Sequence, residues 1–263
     1  MIAAADITRA LAELGVAPTD TLFVHSGLKG ALRLAGATRE EKLATLAGGL
    51  RGSVAGGLLV APTFTYSFTR GEPFDVRASP STVGVFSDYV RTLPGVRRTA
   101  EPLFSCALLG AALPGTWGRR LLRAGDVDCF GPDSVFAYLL EVDAKLLFLG
   151  VDFEMCTFVY HVEQLLRVPY RYFKDFHGTV VDADGEVSQV TARYFVRDLE
   201  ADVENTFAPL ARGLLAAGRA RAGRLERGPE LLVTSARAVH DEIEQRLAEN
   251  PDFLLRRGHP RAA

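Results

Sequence analysis

Sulfur and an excess of either charge are what this sequence has least of. Its 263 residues hold three cysteines, two methionines and one tryptophan. Cys106, Cys129 and Cys156 are odd in number and far apart, and no Cys-x-x-Cys pair occurs. Neither a disulfide framework nor a thiolate zinc site is therefore supported, and each cysteine reads as a buried structural thiol among apolar neighbours. Thirty Lys and Arg residues face 32 Asp and Glu, a net charge of -2, so no basic excess calls for nucleic acid and no block of like charge for a membrane surface. No apolar run approaches the about 20 residues that a membrane span needs. The start, Met1-Ile2-Ala3-Ala4-Ala5-Asp6, lacks a basic stretch followed by a long apolar one. The expected location is the reducing cytoplasm.

Several catalytic signatures are also missing. There is no phosphate loop ending in Gly-Lys-Ser/Thr, no Gly-x-Gly-x-x-Gly after a strand, no His-Glu-x-x-His and no Gly-x-Ser-x-Gly. No internal repeat, heptad array, low-complexity tract or linker interrupts the chain, which reads as one domain over 1–263.

What is present is a globular composition, 48% hydrophobic and 24% charged, ample for a full core. Helical spacing of Ile7, Leu11 and Leu14 predicts a helix over 6–15. The apolar run Thr21-Leu22-Phe23-Val24-His25 predicts a buried strand that ends in Ser26-Gly27. A helix over 39–51 gives way at Gly56-Gly57 to a second buried strand, Leu58-Leu59-Val60-Ala61-Pro62. The polar and aromatic segment Thr63 to Phe68 after it is expected to line a surface or cleft. A loop over 71–80, a helix over 82–92 and a strand from Ser105 to Leu109 follow. Gly131-Pro132-Asp133 introduces a helix from Ser134 to Glu141. Lys145 to Val151 is the clearest buried strand, and Thr157 to Leu166 suits a helix. Asp182-Ala183-Asp184-Gly185 is a hairpin turn between Gly178 to Val181 and Glu186 to Val190. Helices are expected over 198–217 and 235–248. Strands alternating with helices, then a hairpin, predict a three-layer α/β/α core with a mixed sheet, plus an added hairpin and helical element in the C-terminal half.

In open α/β sheets ligands bind at the carboxyl ends of the strands. Three such ends carry reactive groups: His25-Ser26-Gly27, Thr63 with Thr65, and Cys156 to Glu163. The third holds the chemistry, because a histidine beside a carboxylate forms a base with an orienting partner. Helical spacing complicates that pairing. Tyr160 and Glu163 are three apart and share a face, whereas His161 and Glu163 are two apart and do not. A core or capping histidine is the plain alternative. Basic residues cluster at Arg91 to Arg98 and at Arg212 to Arg227, as solvated helix faces or, less commonly, as a landing site for a phosphate-bearing cofactor.

Phe23-Val24-His25-Ser26-Gly27-Leu28 is similar to a Val-His-Ser-Ser-Leu segment. Gly57 to Thr65 is similar to Gly-Thr-Leu-Val-Met-Pro-Thr-Phe-Thr, and Leu93 to Ser105 to Pro-Gly-Val-x-Arg-Ser-x-His-Pro-x-x-Ser. With Gly131-Pro132-Asp133-Ser134 and Lys145 to Gly150 in order, the chain resembles the aminoglycoside 3-N-acetyltransferase family over nearly its whole length. Cys156-Thr157-Phe158 and Val168-Pro169-Tyr170-Arg171-Tyr172 resemble members serving surface-sugar or natural-product assembly. The family's fold is unrelated to the common acetyltransferases that use a Gly-x-Gly-x-x-Gly/Ala loop. The resemblance implies transfer of an acetyl group from acetyl-coenzyme A, as cosubstrate and without a metal, to a small-molecule sugar amine. It implies a cofactor lying over His25, Ser26, Gly27 and Leu28 and over Thr63 and Thr65, with Ser105 nearby. A homodimer is one expectation for the assembly.

Two departures matter. Tyr160 stands where the family's His-x-x-Glu motif has its histidine, with His161 one place later, and Glu101 stands where a second histidine would be. The expected catalytic set is His161 as base, Glu163 as its electrostatic partner and Tyr160 as hydrogen-bond donor. Glu72, Asp75, Glu101 and Asp152 are candidates to attract a cationic amino sugar, each against a plain reading as a solvated charge. Three rival readings stay open: a different acyl donor or a non-sugar amine, a protein that binds coenzyme A or a sugar without turnover, and a hydrolytic metal on His25, His161 and Glu163.

Overall fold

A computed structural model of the chain describes residues 1–28, 33–198, 203–226 and 228–257. Its helices are α1 (Ala4–Glu13), α2 (Arg39–Ser53), α3 (Val85–Val90), α4 (Trp117–Leu122), α5 (Val135–Glu141), α6 (Phe158–Leu165), α7 (Ala208–Ala216) and α8 (Ala236–Glu249). Its strands are β1 (Thr21–Ser26), β2 (Leu58–Pro62), β3 (Phe74–Asp75), β4 (Arg97–Arg98), β5 (Cys106–Gly110), β6 (Val127–Asp128) and β7 (Lys145–Leu149). They continue with β8 (Arg171–Val181), β9 (Val187–Arg197), β10 (Val203–Asn205), β11 (Ala220–Arg224), β12 (Glu230–Ser235) and β13 (Leu255–Arg257).

The central sheet runs β11-β12-β7-β1-β2-β5-β4. Its middle strands β7, β1 and β2 are parallel, and antiparallel strands complete both edges. Continuous apolar runs suit strands buried on both faces, and alternate side chains divide between two cores. Leu22, Val24, Leu59, Leu147 and Leu149 pack with Ile7, Leu11, Leu46, Leu50 and Phe86 from α1, α2 and α3. On the other face Phe23, Val60, Leu146 and Phe148 pack with Phe136, Phe158, Val162, Leu210 and Ile243 from α5 to α8. Each fully buried side chain of this size contributes about 1.5–3 kcal/mol, so the three layers are a consequence of the pattern.

The hairpin is longer than its turn signal suggested. β8 and β9 pair over 11 positions, from Arg171 with Arg197 to Val181 with Val187. Asp182 closes the turn by accepting the N–H groups of Asp184 and Glu186. With β3 and β6 the hairpin makes a second sheet of four strands. The helix expected over 198–217 is confined to α7 in its described part, because β10 occupies Val203–Asn205 and pairs with β13; positions 199–202 lie outside the described residues. The strands β11 and β12 were not expected: β11 holds two arginines among small residues, and the apolar part of β12 is only Leu231 to Val233. Among the described residues no helix is long and apolar enough to cross a membrane.

Candidate active site

The ends of β1 and β7 meet closely. A Cβ on Gly27 would lie 2.6 Å from Val151 Cγ1 and 2.8 Å from the Gly150 carbonyl oxygen, so only glycine fits there. Gly150 itself has φ +63°. His25, two residues before Gly27, is 5% exposed. Its ring stacks parallel to Phe148 at 4.8 Å and meets the edge of Phe23 at 4.7 Å. The Thr157 N–H donates to His25 Nε2 at 3.3 Å, which leaves the ring proton on Nδ1. Burial pushes this histidine down to about 3, with the Leu147 backbone opposing in part, so the ring is neutral at physiological pH.

Thr157 opens α6, and the helical period sorts the next residues. His161 turns into the core, where Nδ1 lies 2.7 Å from the Phe130 carbonyl oxygen. Burial pushes it down to about 4, against that bond. Glu163 turns the other way and is fully buried. Its Oε1 accepts from the Tyr170 hydroxyl and the Asn205 amide, each at 2.8 Å. Its Oε2 lies 2.8 Å from Arg171 Nε in a buried ion pair. Burial raises the Glu163 carboxyl, and Arg171, Tyr170 and Asn205 oppose that rise. The Arg171 guanidinium also sits 4.6 Å over the Tyr160 ring and donates to Asn205 Oδ1 at 3.0 Å. Desolvation raises the Tyr160 phenol and keeps it protonated at neutral pH.

Tyr160, Arg171 and Asn205 line an open cleft of about 510 Å³ together with Glu154, Tyr194 and Phe207. Glu154 is already engaged there, accepting from the Thr206 hydroxyl and from the Phe207 and Ala208 N–H groups at the start of α7. The structure thus brings Tyr160 and Glu163 together and holds His161 apart from both. Among the described residues no histidine lines this cleft.

The other expected site residues are placed differently. Thr63 and Ser105 are fully buried and their hydroxyls bond the guanidinium of Arg98, each at 3.1 Å from Nε. The Thr65 hydroxyl donates to Ser67. Ser26, Gly27 and Leu28 are half-buried. Of the basic cluster at Arg91 to Arg98, Arg98 is buried and Arg91 pairs with Asp88. Glu72, Asp75, Glu101 and Asp152, expected to draw a cationic substrate, do not line the cleft. Glu72 pairs with Arg70 at the surface, Asp75 accepts the N–H groups of Arg77 and Ala78, and Asp152 is exposed. Glu101 accepts the N–H groups of Leu103 and Phe104 and the Cys129 thiol, and burial pushes it up to about 7. His25, His161 and Glu163 form no ligand cluster; among the described residues the group that does is His240, Asp241 and Glu244, largely exposed on α8. The cysteines are free and buried.

Tyr170, Arg171, Asn205, Tyr194, Glu154 and Phe207 were not singled out as site residues by sequence reasoning. Tyr170 and Arg171 lay in a segment noticed only for its likeness to relatives. Asn205 reaches Glu163 across 42 positions, beyond any local spacing rule.

The comparisons with known proteins agree with this architecture. The sequence pattern of the aminoglycoside 3-N-acetyltransferase family matches residues 23–248. Aminoglycoside N(3)-acetyltransferase IV of Salmonella sp is 32% identical over 189 residues, covering 71% of this chain and 67% of that protein. Aminoglycoside N(3)-acetyltransferase VII of Streptomyces paromomycinus is 27% identical over 204 residues, covering 68% and 66%. A mutant of aminoglycoside acetyltransferase AAC(3)-IVa in complex with apramycin superposes with a TM-score of 0.74 at 27% identity, over 96% of this chain and 94% of that one. AAC-IIIb in a binary complex with CoASH shares the fold, with a TM-score of 0.78 at 23% identity over 98% of each chain. The chain belongs to the aminoglycoside 3-N-acetyltransferase family of acyltransferases.

Proposed function

We propose that this protein moves an acetyl group from acetyl-coenzyme A to an amine of an aminoglycoside or related amino sugar in the Tyr160 cleft. The observation that carries the reading is the placement of Tyr160 at the cleft, under the Arg171 guanidinium that pairs with Glu163, on the helix where the family has its His-x-x-Glu motif. Relatives named as aminoglycoside N(3)-acetyltransferases support the reaction class, and the apramycin and CoASH complexes of structural neighbours support the acceptor and donor.

When bound, acetyl-coenzyme A supplies the electrophilic thioester carbonyl. The amine enters as its free base after its ammonium proton goes to solvent. As nitrogen bonds to the carbonyl carbon and the carbon–sulfur bond breaks, Tyr160 donates its phenolic proton to the departing thiolate. It regains one from the new nitrogen, so protons balance. Arg171 over the ring favours the transient phenolate, and Glu163 holds Arg171 in that position. In this reading Tyr160 is the catalytic residue, Glu163 positions, and His161 anchors α6 to the core.

A thiol-release assay tests the proposal, with acetyl-, malonyl- and longer acyl-coenzyme A against amino sugars, aminoglycosides and amino acids. The expected result is thiol release matched by acetylated amino sugar or aminoglycoside. Thermal stabilisation by acetyl-coenzyme A with no thiol release from any acceptor would overturn it.

A further inference from the structure

We infer that His25 is a positioning residue for the Tyr160 site: its imidazole is the acceptor that fixes the start of α6. Helix α6 has no side-chain cap of its own, since the Thr157 hydroxyl turns back to the Met155 carbonyl. An uncapped helix start leaves N–H groups without partners, which is costly in a buried place. His25 Nε2, 132 positions away in sequence, accepts the Thr157 N–H in a buried setting.

The acceptor is rigid. Phe148 and Phe23 clamp the His25 ring face and edge, and Phe148 also packs on Phe153 at 4.6 Å in the turn just before α6. The strand end and the helix start are therefore one packed unit. From Thr157 the link to the cleft is short, because the Thr157 carbonyl accepts the Tyr160 N–H at 3.1 Å. A shift of Thr157 along the helix axis moves Tyr160 with it, and with it the phenol under Arg171.

The same geometry argues against a cofactor contact by the His25 ring, the role that the resemblance implied. Nε2 is occupied by Thr157 and Nδ1 is buried, so neither nitrogen is presented to a ligand. The neutral state that burial enforces is what an acceptor needs, since an imidazolium has no lone pair to offer.

The inference rests on the proposed role of Tyr160, so its test carries one readout independent of activity. His25→Leu removes the acceptor, His25→Gln keeps an amide oxygen within reach of Thr157, and His25→Asn is polar but too short. The first readout is amide exchange of Thr157 in the full chain. Exchange should quicken by about tenfold or more in His25→Leu and His25→Asn and stay slow in His25→Gln. The second is steady-state kinetics. In the two variants without the acceptor kcat should fall by about 10- to 100-fold, KM for acetyl-coenzyme A should stay within about twofold, and His25→Gln should recover kcat. Unchanged Thr157 exchange in both acceptor-less variants would overturn the inference. So would a raised KM for acetyl-coenzyme A with kcat intact, the signature of a cofactor ligand. Absence of acyl transfer in the wild-type protein would strike the functional proposal alone and leave the exchange result to decide the role of His25.

Discussion

Two buried arginines divide this molecule, and they are neutralised in opposite ways. Arg171, with 2% of its side chain exposed, shares its burial with the carboxylate of Glu163. Among the described residues Arg98 has no carboxylate as a hydrogen-bond partner. Its donors go to neutral oxygens of Thr63, Ser105, Val76 and Ser79, with the Phe74 ring 4.8 Å away, and burial pushes it down to about 10. The Arg98 cluster is a clasp that ties β2, β4 and β5 to the loop after β3. The Arg171 cluster is a charged pair set against an open cleft beside a phenol. A cation spread over dipoles organises backbone, whereas a cation held by one carboxylate keeps a fixed charge near a reacting group.

The largest expected effect follows from that contrast. Glu163→Leu strands the Arg171 charge and removes the acceptor of Tyr170 and Asn205, which costs about 3–5 kcal/mol of stability. Arg98→Met leaves behind no charge, and the Thr63 carbonyl keeps its bond from Ser105, so it costs about 1–3 kcal/mol. Urea midpoints at neutral pH measure both. An equal or larger loss for Arg98→Met would break the comparison.

A smaller effect concerns pH and the third polar cluster, around Glu101. Its folded value of about 7 lies above the ordinary 4.5, so the protonated form is favoured by folding. The stability it contributes is present below 4.5 and is lost as pH rises to about 7. The depressed values of His161, about 4, and His25, about 3, act in the opposite sense, costing stability as pH falls below 6.5. Glu101→Gln should therefore gain stability relative to wild type as pH rises from 4.5 to about 7, read from denaturant midpoints across that range. A constant difference between the two proteins would remove Glu101 from the account.

The smallest effect sharpens the role of the Arg98 clasp. Ser105→Ala removes one acceptor and one donor from a site that other oxygens still serve. About 1 kcal/mol of stability should be lost, with KM for acetyl-coenzyme A unchanged within about twofold. A KM rise without loss of stability would instead give Ser105 the cofactor contact implied by family resemblance.

Legibility in the sequence followed locality. The strands β1, β2 and β7 were readable because strands buried on both faces are continuous apolar runs. The small residues and two arginines of β11 gave no apolar run to read, and the helix expected across 198–217 failed where β10 pairs with β13. The same holds for the site. Three-residue spacing was enough to put Tyr160 and Glu163 on one face and turn His161 away. It could not reveal that Tyr170 and Arg171 arrive from the base of a hairpin and Asn205 from β10. Carboxylates chosen for their place in the sequence, Glu72, Asp75, Glu101 and Asp152, are engaged locally or exposed to solvent. Whether an acidic side chain meets a substrate is decided by tertiary partners that composition does not name.

The most direct test of the central claim is a comparison of kcat for Tyr160→Phe and His161→Asn under saturating acetyl-coenzyme A and acceptor. Loss of the phenolic proton should lower kcat by about 100-fold or more, the scale of a positioned acid–base group, while His161→Asn, whose amide stands near the Nδ1 position and keeps a donor for the Phe130 carbonyl, should cost less than about tenfold. A 100-fold loss in His161→Asn with Tyr160→Phe near wild type would contradict the account and return the chemistry to the histidine.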